Sequence, residues 1–185
     1  MSELQRVLDE AYALAKAGHW NRLLARWADA PVLARRCSRY VHPGSGWTFL
    51  HQAAYFGQEP ACRALIGRGA AIDLAGKDGR RPVDVAQQKG HVAVAGLLRQ
   101  LMPERDSPWA PPLDPDVLPS SCSWSEAQRL IAPEELYVAY GGGVITIPKG
   151  ASYFVDGLQR VLVGFHGTFD PPCGMDGESM LDDDE

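Results

Sequence analysis

The segment GWTFLHQAAYFG, residues 46–57, returns in outline as GRRPVDVAQQKG, residues 79–90. Gly46 precedes Gly79 by thirty-three residues, and the same interval separates Leu50 from Val83, His51 from Asp84, Ala53 from Ala86 and Gly57 from Gly90. Matched positions at one constant offset restrict this chain more than any other feature. A period of that length marks a supersecondary unit repeated along one axis, in which neighbours together bury a continuous core.

Each repeated position has a physical job. Gly46 and Gly79 permit the tight turn that lifts the chain into a projecting hairpin. Thr48 is placed to cap the following helix, and Pro82 suits the first turn of its counterpart, where a missing N–H costs nothing. Ala53, Ala54 and Ala86 are small enough for neighbouring helices to approach closely, and Gly57 and Gly90 end the first helix in a left-handed conformation. Ala61, Cys62, Leu65 and Ile66 form the apolar stripe of a second helix, matched by Val94, Ala95, Leu98 and Arg99. A turn glycine, a small-residue helix and a second apolar helix within thirty-three residues resemble the ankyrin repeat. GWTFLHQAAYFGQEPACRALIGRGAAIDLAGK resembles one such repeat, and DGRRPVDVAQQKGHVAVAGLLRQL resembles the repeat that ends a stack. The resemblance implies that His51 hydrogen-bonds within the turn network, with Asp84 as its terminal substitute.

A weaker copy lies upstream. Leu14 to His19 aligns with Ala53 to Gln58 at an offset of thirty-nine, and the next helix is expected over Trp20–Trp27 with Leu23, Leu24 and Trp27 on its apolar face. The six extra residues fall in APVLARRCSRYVHPGSG, expected to be a long connection. Residues 3–43 thus read as a degenerate repeat that caps the stack.

Past residue 102 the pattern changes. MPERDSPWAPPLDPDVLPSS (102–121) holds six prolines and no helical period. It reads as a linker or as an ordered strap across the last repeat, because Trp109, Leu113, Val117 and Leu118 are costly to leave wet. SWSEAQRLIAPEE predicts a short helix capped by Ser123, with Glu126 at the capping-box spacing and Pro133 as its stop. The period then becomes two. LYVAY (136–140) and VITIP (144–148) read as a hairpin about the triple glycine, and SYFVD (152–156) with RVLVGFHG (160–167) as a second. The expected fold class is α+β: a short helical stack of the ankyrin type, then a small antiparallel β unit with one helix. The corresponding domains are 1–101, a Pro-rich strap or linker over 102–121, a small α+β domain over 122–180, and an acidic tail over 181–185.

Charge is unevenly divided. Residues 1–102 carry fourteen Lys and Arg against eight Asp and Glu, a net of +6. Residues 103–185 carry four against fifteen, a net of −11, and the two agree with the total of −5. The split suits contact between the halves, or two faces for two partners. No dense basic cluster beyond Arg35-Arg36 supports nucleic-acid binding. No apolar run reaches membrane-spanning length, and MSELQRVLDEAYALAKAGHW lacks a signal peptide's apolar centre, so a cytoplasmic protein without a membrane partner is expected. The four cysteines have no zinc-ligand spacing and read as free thiols.

For function, the resemblance implies a rigid surface that binds another protein, non-catalytic and without cofactor or metal, as a monomeric adaptor or inhibitor in the manner of an immunity protein. The implied contacts are Trp47, Gln52, Tyr55 and Phe56 from the first full repeat, and Lys77, Arg80, Gln87 and Gln88 from the second. The acidic C-terminal unit is a second candidate surface. The competing class is an enzyme whose chemistry lies in that unit, with Tyr153, Asp156, His166, Asp170 and Cys173 as its candidates and the helical stack recruiting substrate. Within GFHGTFDPPCGMDGESM, a His166/Cys173 pair would serve a thiol nucleophile, and Asp170, Asp176 and Glu178 a divalent cation, although their spacing does not match the EF-hand loop. The bland reading of that segment is an ordered surface loop burying Phe165 and Phe169.

Overall fold

The structure, a computed structural model, describes residues 2–104, 106–173 and 179–181. The chain is α+β and divides into two compact units, Met1–Glu104 and Arg105–Glu185. Asp176, Glu178 and the acidic residues of the tail lie outside the described residues.

The first unit is helical. Among the described residues it comprises α1 (Glu3–Lys16), α2 (Trp20–Asp29), α3 (Pro31–Arg39), α4 (Phe49–Tyr55), α5 (Glu59–Ile66), α6 (Pro82–Gln88) and α7 (Val92–Gln100). The matched segments do lie side by side: α4 packs on α6, α5 on α7, and each first helix on its own second helix. α1 packs on α4 and so extends the row of first helices. At its start Ser2 accepts a hydrogen bond from the Gln5 N–H, and Leu8, Ala11, Tyr12 and Ala15 form its buried face at helical spacing. Gly18, Gly57 and Gly90, just beyond α1, α4 and α6, have φ of 79°, 64° and 76°. At each, the glycine N–H and the next N–H return to carbonyls in the last turn, which satisfies groups a helix end leaves open.

Residues 30–46, expected as a connection, contain α3 instead. Pro31 sits at its first turn, and Leu33, Ala34, Cys37 and Ser38 are buried. α3 rather than α2 is the helix that packs on α5, so α2 is the extra element. The sequence misleads here because Arg35, Arg36, Ser38 and Arg39 dilute an apolar stripe only three residues wide.

The projecting turns are held by backbone. The Lys77 N–H donates to Ser45 O at 2.9 Å, joining one turn to the next. A methyl group on Gly46, whose φ is +71°, would lie 2.9 Å from that Lys77 nitrogen, whereas one on Gly79, at +76°, would meet nothing within 4 Å. Gly46→Ala is therefore expected to cost about 3 kcal/mol, from strain and a backbone clash, and Gly79→Ala about 1 kcal/mol from strain alone. Urea unfolding of the two variants checks this, and equal losses would refute the close approach.

The second unit contains β1 (Ser120–Ser121), β2 (Gln128–Ile131), β3 (Leu136–Tyr140), β4 (Gly143–Ile147), β5 (Ser152–Val155) and β6 (Val161–Leu162). Four strands form a sheet in the order β1-β6-β5-β2, parallel only between β1 and β6, and β3–β4 form a separate ribbon. The ribbon pairs Tyr140 with Gly143. That leaves Gly141 and Gly142, both at positive φ, as a two-residue turn whose twist suits adjoining strands.

One expectation fails in this unit. The helix over 123–132 is only a 3-10 turn at Trp124–Glu126, and Ser123 makes no side-chain cap. Gln128–Ile131 pair residue for residue with β5, since a short helix stopped by Pro133 has too few bonds to offset nucleation. Within the Pro-rich segment, Trp109 and Leu118 pack against the second unit's own core of Val138, Ile147, Val155, Val161 and Val163. Trp109 Nε1 donates to Val163 O at 2.8 Å, and Leu118 bonds both ways with β3. Among the described residues no helix is long and apolar enough to cross a membrane.

Candidate functional site

An open concavity of about 600 Å³ runs along the first unit, bounded by Tyr12, Lys16, His42, Ser45, Trp47, Gln52, Tyr55, Phe56, Asp78 and Arg80. It lies within that unit, between the ends of the first helices and the projecting turns. Five of the eight expected contacts, Trp47, Gln52, Tyr55, Phe56 and Arg80, line it.

The geometry grows from the turn network. His51 is fully buried. Its Nδ1 accepts the Thr48 N–H at 3.1 Å, which leaves the proton on Nε2, donated to Arg80 O at 3.0 Å. Thr48 Oγ1 accepts the His51 N–H in return, completing a reciprocal cap. In the next repeat Asp84 takes over half of this role, accepting the Arg81 N–H at 2.9 Å. Burial pushes the His51 pKa down, only partly offset by the Arg80 carbonyl and by Asp78. His51 is thus a neutral brace that fixes Arg80 from below and stacks under Trp47, with ring centroids 5.4 Å apart.

Above that brace sits a pre-assembled group. Trp47 Nε1 donates to Asp78 Oδ2 at 3.0 Å. Arg80 Nε and Nη2 reach the same oxygen at 2.9 and 2.7 Å, while Nη1 donates to Gln88 Oε1 at 2.6 Å. The guanidinium carbon lies 5.2 Å from the Trp47 ring centroid, within cation–π range. The Arg80 N–H and then its guanidinium hold the Asp78 carboxyl down at about 2. Rings continue the wall: Tyr55 lies 6.3 Å from Trp47 and 5.1 Å from Phe56, and Lys89 Nζ sits 4.1 Å over Tyr55. Side-chain freedom is already spent before any ligand arrives, which lowers the cost of binding.

The other expected contacts are placed differently. Gln52 is only 7% exposed and donates to Tyr12 Oη at 2.9 Å, so it sets the Tyr12 ring rather than presenting itself. Lys77 and Gln87 are exposed but do not bound the concavity; Lys77 Nζ is turned to Pro43 O at 2.6 Å. Gln88 contributes through Arg80.

Tyr12, Lys16, His42, Ser45 and Asp78 were not anticipated. The offset of thirty-nine sets Lys16 at the position of Tyr55, and the offset of thirty-three sets Asp78 at that of Ser45, so the repeat itself held those signals. His42 had none. It arrives by stacking on Tyr12 at 4.9 Å and 17°, a contact between residues thirty apart.

Of the residues suspected of catalysis, Tyr153, Asp156 and His166 make contacts within the second unit. Asp156 Oδ1 accepts the N–H groups of Leu158 and Arg160, and Oδ2 pairs with the Arg160 guanidinium at 2.9 Å, closing the β5–β6 turn. Tyr153 is buried in the second core, which raises its pKa. His166 meets Phe165 edge-on at 5.0 Å. Phe165, expected to be buried, is 73% exposed, while Phe169 packs on the core: the turn at Gly164–Gly167 directs one ring outward. Asp170 and Cys173 are exposed. Among the described residues no group of three or more His, Cys, Asp or Glu could hold a metal. All four cysteines are free, with Cys37 and Cys62 buried and their thiol pKa values pushed up to about 12 by burial.

Fold and site together define a stack of helix pairs with a lateral, aromatic-walled concavity. No protein-family model matches the chain. Part of it is similar to part of calmodulin-binding transcription activator 5 of Arabidopsis thaliana, 34% identical over 87 residues, or 44% of this chain and 9% of that protein. Calmodulin-binding transcription activators 3 and 4 of the same plant are each 35% identical, over 80 and 81 residues, covering 40% of this chain and 8% of theirs. The chain spans less than a tenth of the length of these relatives.

Proposed function

We propose that the helical unit is a non-catalytic protein-binding module of the ankyrin type, an adaptor or inhibitor, and that its concavity receives a segment of a partner protein. The observation that carries this reading is the Trp47–Asp78–Arg80 group, fixed by His51 and flanked by Tyr55 and Phe56. Aromatic and arginine side chains held rigid in a recess are the usual anchors of interfaces. Stacked helix pairs supply a stiff support that need not move to bind. That the named relatives are calmodulin-binding proteins favours a protein ligand over a small molecule. No cofactor enters this reading, and neither nucleic acid nor a membrane is its partner.

The test is affinity capture on the immobilised full chain from a lysate of its source. Wild type, Trp47→Ala/Tyr55→Ala/Arg80→Ala and the distant control Arg99→Ala are compared. A protein retained by wild type and control should lose at least about tenfold in affinity for the triple variant, with helical circular dichroism unchanged. An identical set of captured proteins places the interface elsewhere, and turnover of any substrate by the purified chain ends the non-catalytic reading.

A further inference from the structure

The charges around the concavity are not balanced. Among its lining residues Asp78 supplies the one carboxylate, and both of its oxygens are taken. Oδ1 accepts the Arg80 N–H at 3.1 Å, and Oδ2 accepts from Trp47 and the Arg80 guanidinium. Lys16, which also lines the recess, forms no ion pair among the described residues, and neither does Lys89 beside it over Tyr55. Two rings of the wall already carry cations of the protein's own, Arg80 on Trp47 and Lys89 on Tyr55. A lysine or arginine of a partner would find those rings occupied and would be repelled. Residues 1–102 as a whole share the surplus, with fourteen basic against eight acidic side chains. The apolar ground between the cations is Tyr55, 36% exposed, with Phe56 and the edge of Trp47.

We infer that the segment bound here is an acidic peptide of a partner protein, with an aromatic or large aliphatic side chain seated against the Tyr55 and Phe56 pair and flanking carboxylates paired with Lys16 and Lys89. This rests on the protein-binding reading above and adds the chemistry of the ligand. The recess is large enough for one or two such side chains, being of the size of ordinary ligand pockets. The carboxylate contacts lie at its rim. They therefore steer and select more than they hold, and weaken as salt screens them over about 8 Å at physiological ionic strength.

The experiment is a random-peptide display selection against the full chain. Selected peptides are then synthesised, dye-labelled and measured by fluorescence anisotropy. The selected sequences should be rich in Asp and Glu around one aromatic or aliphatic residue. Lys16→Glu/Lys89→Glu should weaken their binding by about tenfold, Arg99→Glu should leave it unchanged, and raising salt should weaken wild type but not the double variant. Peptides without an acidic bias, or no enrichment at all, overturn the inference. Binding that ignores Lys16→Glu/Lys89→Glu and salt yet is lost in Trp47→Ala/Tyr55→Ala overturns the acidic preference while leaving the concavity as the site. Binding that survives both variants removes the concavity as well.

Discussion

Replacing Phe49 by alanine is expected to cost the helical unit about 4 kcal/mol, the range for emptying a fully enclosed aromatic site. Phe49 is completely buried at the first turn of α4. Its ring lies 5.3 Å from that of Tyr12, 5.7 Å from Tyr40 and 5.9 Å from Trp27. One side chain thus gathers α1, α2, the end of α3 and α4, and no neighbour can close the space without dragging a helix with it. Against a typical domain stability of about 5–15 kcal/mol, such a loss is large. Urea unfolding of the full chain, followed at a helical wavelength, should show an earlier midpoint. Phe56→Ala, at a half-buried ring resting near Gly18, should lose less than about 2 kcal/mol. If Phe49→Ala costs no more than Phe56→Ala, the four aromatic rings are not the centre of this unit. Because α4 also carries Gln52 and Tyr55, with Phe56 as its cap, partner binding should fall with the folded fraction.

His51→Ala is the second large effect, expected to remove about 3 kcal/mol. It strands the buried Thr48 N–H, and an unpaired buried group costs about 1–3 kcal/mol. It also takes one of two hydrogen bonds from Arg80 O, which keeps the Gly76 N–H, and empties a fully buried site. The variant also has a pH signature. Burial depresses the folded-state pKa of His51 below its ordinary value near 6.5, so between the two values the unfolded chain binds the extra proton. Stability from this group is then complete above about pH 6.5 and is lost as pH falls toward the folded pKa. Facing charges modify the slope without reversing it: Asp78 and Asp84 favour the imidazolium and Arg80 opposes it. Unfolding free energies of wild type and His51→Ala, measured from pH 8 down to pH 5, should converge as acid is added. A difference that stays constant over that span would show that the imidazole is not held neutral. Since His51 anchors the Arg80 carbonyl, the variant should also loosen the Trp47–Asp78–Arg80 group and weaken capture of the partner beyond the loss in folded fraction.

The sequence was most readable where backbone conformation dictates residue type. Gly46, Gly57, Gly79 and Gly90 stand at positive φ, and a spacing of glycines survives in a linear text. Thr48 as a helix cap was legible for the same reason, because a cap spans only three residues, whereas its pairing with His51, and that of Arg81 with Asp84, came from the structure. The β3–β4 hairpin could be read from its alternation and its glycines. Elements decided by a distant partner were not legible. Gln128–Ile131 could have been a helix until β5 offered an edge, and Trp109 and Leu118 could have packed on anything apolar. Helix α3 was hidden because its arginines interrupt the stripe that a periodicity search needs.

The concavity divides along the same line. Trp47, Tyr55, Phe56 and Arg80 follow from counting along the repeat, which assigns them to turns and first helices. The chain alone also determined how many stacked layers it could make, through a period of thirty-three and the small residues that allow close approach. Only the tertiary structure decided that Asp78 accepts from Trp47, that Gln52 serves Tyr12, and that Lys16 and Lys89 are left without carboxylates among the described residues. Those outcomes depend on distances between residues tens of positions apart. Periodicity fixes which face a side chain occupies, but charge balance is settled only by what packing brings to within a few ångströms.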